Sequence, residues 1–286
     1  MNDLLVRIAD ALDRLAPPDV PLPPQQLASV WTWHSAANRL NPIHDPRRIP
    51  LDIILGAEAQ KERLLANTSC FAQGRAANHA MLWGARGTGK SALVKAIHAT
   101  ISLNYPDLRL IEIMRDDISS VPALADKLAQ QNWRAILFID DLSFERGDES
   151  YKALKSVLDG GVSNAINSVL VYVTSNRRHL VNRPDGSQPD FRPDETIDEQ
   201  MALSERFGLW LGFYAMDQAT WLAIVRSYCT ALDLKPRDKT LERRALQWAA
   251  GRSSRTGRSA WQFIVERAGE LNKPIVFPIT PSRDGI

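Results

Sequence analysis

The sequence has little cysteine, no long apolar run and almost no excess of one charge. Its 286 residues include only two cysteines, Cys70 and Cys229, which lie far apart, so a disulfide framework and a zinc ribbon are both excluded. Lys and Arg number 35 and Asp and Glu 33, and the resulting net charge of +2 gives no general attraction to nucleic acid or to anionic membranes. The five histidines show no spacing typical of metal ligands.

Membrane and secretion signals are also missing. No segment approaches the roughly 18 apolar residues that a membrane helix needs. Residues 1–7 carry a charge inside a short apolar stretch, which is not the pattern of a signal peptide. A hydrophobic share of 44% is nevertheless enough for a full core. We therefore expect a cytoplasmic globular protein with no membrane partner.

Three regions of the chain differ in pattern. Residues 1–50 combine a short amphipathic segment with many prolines, which predicts a helical, proline-rich extension. We expect a short helix in it to carry Trp31 and Trp33, either packed on the main domain or used as a docking arm for a partner. Residues 51–214 alternate short apolar strands with helices, and residues 215–286 contain only helical patterns.

The central region is predicted to form a three-layer α/β domain. Because helical stretches alternate with its short apolar segments, we expect a parallel sheet that is covered on both faces. A polar segment, residues 181–200, is expected to form a long loop, and Asp217 to cap the first helix of the C-terminal unit. The predicted strands are Ala80–Trp83, Leu108–Ile113, Ala135–Ile139, Val169–Thr174 and Leu209–Phe213.

The strongest functional signal is a glycine-rich run between a predicted strand and a predicted helix. It matches the pattern G-x-x-x-x-G-K-[ST] in full. Its glycines allow successive N–H groups to point at one phosphate, and the helix directs its positive dipole end to the same place. Lys90 is expected to reach the β- and γ-phosphates, and the Ser91 hydroxyl to bind Mg²⁺. The run is Gly84, Ala85, Arg86, Gly87, Thr88, Gly89, Lys90 and Ser91, and Ala92 follows it in the helix as a further nucleotide contact.

A second signal is an apolar strand that ends in two acids, Asp140 and Asp141. A buried strand would hold Asp140 rigidly beside a Mg²⁺ site, which is the arrangement of a Walker B strand. Asp141 is placed where a second carboxylate could activate water. Glu145, four residues further on, is an alternative base.

The order of these motifs resembles that of the AAA+ ATPases over roughly residues 51–271. The phosphate loop and the acidic strand are followed by Val171–Asn176, by Leu203–Gly208 and by a helical unit. The resemblance implies a five-stranded sheet in the order 5-1-4-3-2 and a C-terminal helical lid over the nucleotide. Several stretches, including Thr174–Arg178, also look like a bacterial AAA+-like family of unknown function.

The same resemblance implies roles for individual residues. Asn176 corresponds to the sensor 1 residue, which positions the attacking water. Arg206 corresponds to the arginine finger, which reaches into the site of a neighbouring subunit. Arg258 fits the sensor 2 position at the start of a lid helix, and Arg255 is a close alternative. The resemblance places the adenine pocket at Ile54 and Leu55.

The chain departs from the family pattern at its acidic strand. Most AAA+ ATPases carry Asp-Glu there, whereas this chain carries Asp140-Asp141. An aspartate carboxylate sits about 1.5 Å further back than that of glutamate. The departure predicts either slow hydrolysis or a role for Glu145, and it leaves ATP binding unaffected.

The motifs predict an ATPase that uses ATP and Mg²⁺, and the resemblance implies that it works as an oligomer that remodels or loads a protein or nucleic-acid client. The alternative from another class is a nucleotide-switched binding module with little turnover. A small-molecule kinase shares the phosphate loop but not the sensor asparagine or the lid. A GTPase is disfavoured because its guanine-reading motif is absent: the run Asn272–Ile275 lacks the final acid. The basic run Arg177–His179 and the arginines of the C-terminal unit either follow nucleic-acid phosphates or form a solvated face.

Overall fold

A computed structural model of the chain describes residues 4–8, 21–144, 150–160, 168–176, 203, 205–234, 239–252 and 254–275. Glu145, the basic run Arg177–His179 and the predicted loop at residues 181–200 lie outside the described residues.

The described residues form a strand-rich first part and a helical last part. The strands are β1 (Val30–His34), β2 (Arg39–Ile43), β3 (Ala80–Gly84), β4 (Leu108–Ile113), β5 (Arg134–Ile139), β6 (Val169–Ser175) and β7 (Leu209–Phe213). The α-helices are α1 (Glu58–Ala72), α2 (Lys90–Ser102), α3 (Val121–Gln130), α4 (Ser150–Leu158), α5 (Gln218–Ala231), α6 (Lys239–Arg252) and α7 (Gly257–Glu270).

The seven strands form one sheet in the order β2-β1-β4-β5-β6-β3-β7. All neighbours are parallel except β1 and β2, which pair antiparallel. The predicted order 5-1-4-3-2 corresponds to β7-β3-β6-β5-β4 and is confirmed. The sheet is two strands larger than predicted, because β1 and β2 extend it beyond β4.

The prediction that a helix carries Trp31 and Trp33 is wrong, since both residues lie in β1. The β-branched and aromatic residues of Val30–His34 favour a strand, and the many prolines nearby obscured that signal. Trp31 is fully buried and lies 5.4 Å from the ring of Trp133. The Trp33 indole donates a 2.7 Å hydrogen bond to the Ser120 hydroxyl. The tryptophans are thus part of the main core.

Helices cover both faces of the sheet, as the alternation of elements predicts. On one face α1 and α2 bury Leu64, Leu93 and Ile97 against the sheet. On the other face α3 and α4 bury Leu124 and Leu154. The result is the predicted three-layer sandwich, and the carboxyl ends of its central strands are left open to hold a site.

The last three helices pack around their own apolar cluster, which includes the fully buried Trp221. Asp217 caps α5 as predicted, because its carboxylate accepts a 2.8 Å hydrogen bond from the Thr220 N–H. Thr256 and Ser259 form a reciprocal capping box at the start of α7. This cap fixes where α7 begins. Within the described ranges, no helix has the length and apolar character needed to span a membrane.

The position of β1 inside the sheet can be tested by stability. Replacing Trp31 with Ala removes a fully buried indole, and we expect the free energy of unfolding to fall by about 3–5 kcal/mol. Leu103→Ala removes a side chain that is 82% exposed and serves as the control, with an expected change below about 0.5 kcal/mol. Chemical denaturation measures both. Equal midpoints for the two variants would contradict the assignment of β1 to the core.

Candidate functional site

The glycine-rich loop lies between β3 and α2, at the carboxyl end of the sheet. Gly84, Gly87 and Gly89 have φ angles of 130°, 73° and 94°, in the left-handed region that side chains disfavour. A Cβ atom on Gly84 would lie 1.9 Å from the Phe213 carbonyl oxygen, so only glycine allows β3 and β7 to approach here. The local sequence therefore enforces the tight curl of the loop.

Lys90 is the charged centre of this loop. Its side chain is buried, and its ammonium donates hydrogen bonds of 2.8 Å to the Gly84 carbonyl, 2.8 Å to the Ala85 carbonyl and 3.2 Å to the Asn176 side-chain oxygen. Burial lowers the pKa of Lys90, and the nearby carboxylates of Asp141 and Asp140 oppose that shift. The ammonium is thus desolvated and faces acceptors at the carboxyl ends of β3 and β6.

The first acid at the end of β5 is tied to the phosphate loop. One Asp140 carboxylate oxygen accepts a hydrogen bond of 2.5 Å from the Ser91 hydroxyl and a second from the Thr174 hydroxyl. Ser91 is the first residue after Lys90 in α2, and Thr174 lies on β6, beside β5 in the sheet. Asp140 is therefore held between the loop helix and the neighbouring strand.

The second acid is held in a different way. Asp141 has a φ of 52°, and its N–H donates a 2.8 Å hydrogen bond to the Thr174 hydroxyl. Its carboxylate accepts a hydrogen bond from the Asn176 amide. Because the Asn176 carbonyl oxygen also accepts from Lys90, this one side chain links the acidic strand to the phosphate loop.

These residues share one cavity of about 510 Å³ between the sheet and the three helices α5, α6 and α7, which we call the lid. Its polar end is lined by Arg86, Lys90, Ser91, Asp140, Asp141 and Asn176. Its apolar end is lined by Ile49, Ile53, Ile54, Leu55, Met216, Ile224, Tyr228 and Trp261. A ligand with a charged part and a flat apolar part matches such a division, and the volume is in the range of small-molecule sites.

The lid helix α7 contacts the phosphate loop directly. The Gly257 N–H donates a 2.7 Å hydrogen bond to the Gly87 carbonyl, and a Cβ on Gly87 would meet the Thr256 side chain at 2.9 Å. Arg258, the next residue, lines the cavity, whereas Arg255 is not part of the lining, and both residues are exposed. Of the two arginines that the sequence offered for the sensor 2 position, Arg258 is therefore the one on the cavity wall.

Sequence reasoning found Ile54 and Leu55 in the apolar end but missed the contribution of the lid. Ile224 and Tyr228 are one turn apart on α5, and Trp261 follows Arg258 by three residues on α7, so each pair shares a helix face. The rings of Tyr228 and Trp261 lie 5.2 Å apart. The spacing of Arg258 and Trp261 was a usable signal, because a helix that directs one of them to a ligand directs the other as well.

Arg206 lies elsewhere. Its guanidinium forms an ion pair with Asp159 of the same chain, just after α4, and it is not among the residues that line the cavity. The predicted finger is thus kept apart from the site of its own chain.

The oxygen atoms around Ser91 and Asp140 fit a magnesium ion. Hydroxyl and carboxylate oxygens are the donors that Mg²⁺ prefers, and it commonly keeps water and phosphate as its other ligands. Among the described residues, no group of three His, Cys, Asp or Glu side chains could hold a metal by itself. A metal bound by Ser91 and Asp140 would accordingly take water or phosphate as its further ligands.

Comparison with solved structures identifies the fold. The ORC1 protein of Aeropyrum pernix, solved in complex with DNA, is 15% identical and has a TM-score of 0.52, over 78% of this chain and 64% of that one. A RuvB variant of Thermotoga maritima is 16% identical with a TM-score of 0.45, over 80% of this chain and 73% of that one. The chain has the P-loop fold of the AAA+ ATPases.

Two further comparisons concern the family. A comparison with curated proteins gives no match. Residues 25–271 match the model of a family described as a protein of unknown function, DUF815. Since this match covers most of the sequence, and since the cavity and its motifs lie within it, the chain belongs to the DUF815 family.

Proposed function

We propose that this chain is an ATPase that binds ATP with Mg²⁺ in the cavity between sheet and lid and hydrolyses its terminal phosphate. One observation carries the proposal: the buried ammonium of Lys90 shares the polar end of the cavity with Asp140, Asp141 and Asn176. A buried cation, two carboxylates and a polar amide within reach of one bound phosphate are the parts that phosphoryl transfer to water requires.

Each residue at the polar end has a distinct task in this proposal. The loop N–H groups and Lys90 hold the β- and γ-phosphates, with Arg86 adding a further positive charge at the same wall. Ser91 and Asp140 would hold the magnesium ion, which when bound supplies positive charge to the phosphate oxygens. Asp141 accepts a proton from the attacking water, and Asn176, already bonded to Asp141, orients that water.

We further propose that the active site is shared between subunits of a homo-oligomer, with Arg206 as a finger supplied by the neighbour. Its ion pair with Asp159 is compatible with such a role. The two side chains are 26% and 45% exposed, so the pair is partly open to solvent. In this proposal Arg206 exchanges Asp159 for a phosphate of the next subunit when that phosphate is within reach. The client of such an oligomer would be a protein or a nucleic acid.

One contact favours the alternative of a nucleotide-switched binding module. Because the Gly257 N–H donates a hydrogen bond to the Gly87 carbonyl, a phosphate that reshapes the phosphate loop also moves the start of α7. ATP occupancy could thus change the lid surface without turnover. Steady-state ATP hydrolysis, measured with and without DNA, separates the two functions, because a switch module binds ATP with negligible turnover in both conditions.

Nucleotide binding is the first testable consequence. Wild-type protein should bind ATP with Mg²⁺ in isothermal titration, and Lys90→Ala should weaken binding about 10- to 100-fold, since it removes a charged hydrogen-bond donor. Lys127→Ala is the matched control, because Lys127 contacts Asn38, away from the cavity. Equal ATP affinity for wild type and Lys90→Ala would refute the assignment of the phosphate loop.

The second consequence concerns the general base. Asp141→Asn keeps the size of the side chain and removes its proton acceptor, so it should retain ATP binding and lose turnover by about 10²-fold or more. Glu145→Gln is the comparison variant in the same phosphate-release assay. If Glu145→Gln abolishes turnover and Asp141→Asn does not, the base is Glu145.

The third consequence concerns the shared site. Turnover per subunit should rise with protein concentration, and Arg206→Ala should bind ATP but lose about 10³-fold or more in rate. Lys90→Ala is inactive because its phosphate loop is defective, but it keeps Arg206. Mixing the two inactive variants therefore creates some interfaces in which an intact loop meets an intact finger. Activity should partly return. If activity does not return in mixtures that light scattering shows to co-assemble, Arg206 does not act on a neighbour.

A further inference from the structure

The buried residue Thr174 contacts both acids of the site, although it does not belong to the cavity wall. Its side chain is 1% exposed, and Thr174 is not among the described residues that line the cavity. Val173 pairs with Ile139 at the end of β5, so the next residues of the two strands, Thr174 and Asp140, lie side by side. Any effect of Thr174 on a bound ligand therefore passes through the residues that it holds.

Three hydrogen bonds join Thr174 to the three consecutive residues that follow β5. Its hydroxyl donates to the Asp140 carboxylate and accepts a 2.8 Å hydrogen bond from the Asp141 N–H. Its carbonyl accepts a 2.7 Å hydrogen bond from the Leu142 N–H. One residue of β6 thus holds the whole turn that carries the two acids.

The chemistry of the groups fixes the direction of the hydroxyl's two hydrogen bonds. A backbone N–H can only donate, so the Thr174 oxygen accepts from Asp141 and its single proton is left for Asp140. Asp141 has a φ of 52°, a left-handed conformation that residues other than glycine seldom adopt, and the same hydroxyl anchors its N–H. Loss of this one hydroxyl would release the carboxylate of Asp140 and the backbone of Asp141 together.

We propose that Thr174 is a positioning residue that fixes Asp140 for metal binding and Asp141 for proton abstraction. This inference rests on the proposed function, since it assigns a further residue to the same reaction. Both acids are exposed on the cavity wall, so their orientation depends on the groups that contact them from the sheet. Misplacing a reacting group by about 1 Å can lower a rate by about 10²-fold.

Two substitutions in the full-length chain separate the hydroxyl of Thr174 from its volume. Thr174→Val keeps the size and removes the hydroxyl, whereas Thr174→Ser keeps the hydroxyl and removes a methyl group. We expect Thr174→Val to lower kcat about 10- to 100-fold, the scale of a lost hydrogen bond to a charged group. Thr174→Ser should retain most of the activity. Should Thr174→Val fail to fold, Thr174→Cys replaces it with the same expected loss, because a thiol is a weak donor and acceptor.

Isothermal titration with a non-hydrolysable ATP analogue adds a measurement that does not depend on turnover. In EDTA, Thr174→Val should bind the analogue as wild type does, because its phosphate loop is intact. Adding Mg²⁺ should raise the affinity of wild type and of Thr174→Ser, and it should raise that of Thr174→Val less, because Asp140 is no longer fixed.

Thr68→Val is the matched control, since Thr68 is also fully buried and its hydroxyl is hydrogen-bonded to Tyr172 on the same strand, away from the acids. It should bind the analogue and hydrolyse ATP as wild type does. Equal kcat for Thr174→Val and wild type would overturn the inference. A larger loss in Thr174→Ser than in Thr174→Val would overturn it as well, since the site would then need the volume and not the hydroxyl.

Equal losses of analogue affinity in EDTA and in Mg²⁺ would indicate a purely structural role for Thr174 and overturn the inference too. If wild type neither binds the analogue nor hydrolyses ATP, the proposed function itself fails, and this inference fails with it.

Discussion

The rest of the site depends on the hydrogen bonds that the buried ammonium of Lys90 donates. A cation that is only 6% exposed is costly unless oxygen atoms surround it, and here they come from the loop after β3 and from the end of β6. The order of the sheet makes this arrangement possible, because β3 and β6 are direct neighbours. Asn176 can reach Lys90 for that reason, and its amide also donates a hydrogen bond to the Asp141 carboxylate.

The two ends of the cavity follow from different parts of the chain. Strand ends and the phosphate loop supply the charged groups, whereas the segment before α1 and the lid supply the apolar walls. The capped start of α7 joins them, since it places Arg258 and Trp261 on one face and bonds to Gly87. Because the lid touches the phosphate loop, a nucleotide bound as proposed would contact both ends of the cavity at once.

The sequence was sufficient for the central strands and the phosphate loop because both depend on local patterns, whereas the order of the strands was implied by the resemblance to the AAA+ ATPases. Short apolar runs mark strands at any position, and the loop motif needs its glycines for backbone reasons that the observed φ angles at Gly84, Gly87 and Gly89 bear out. The sequence was insufficient for β1 and for the lid residues that line the apolar end. The antiparallel pair β1–β2 joins the sheet through pairing with the distant β4, and Tyr228 and Trp261 meet only after three helices pack. Such contacts between remote segments leave little local trace.

A co-crystal structure with a non-hydrolysable ATP analogue and Mg²⁺ tests the central claim most directly. The account predicts the phosphates within the loop from Gly84 to Ser91, contacted by the Lys90 ammonium, and the base at the apolar end of the same cavity. An analogue bound elsewhere on the chain, or a cavity that stays free of it at saturating concentration, would contradict the account.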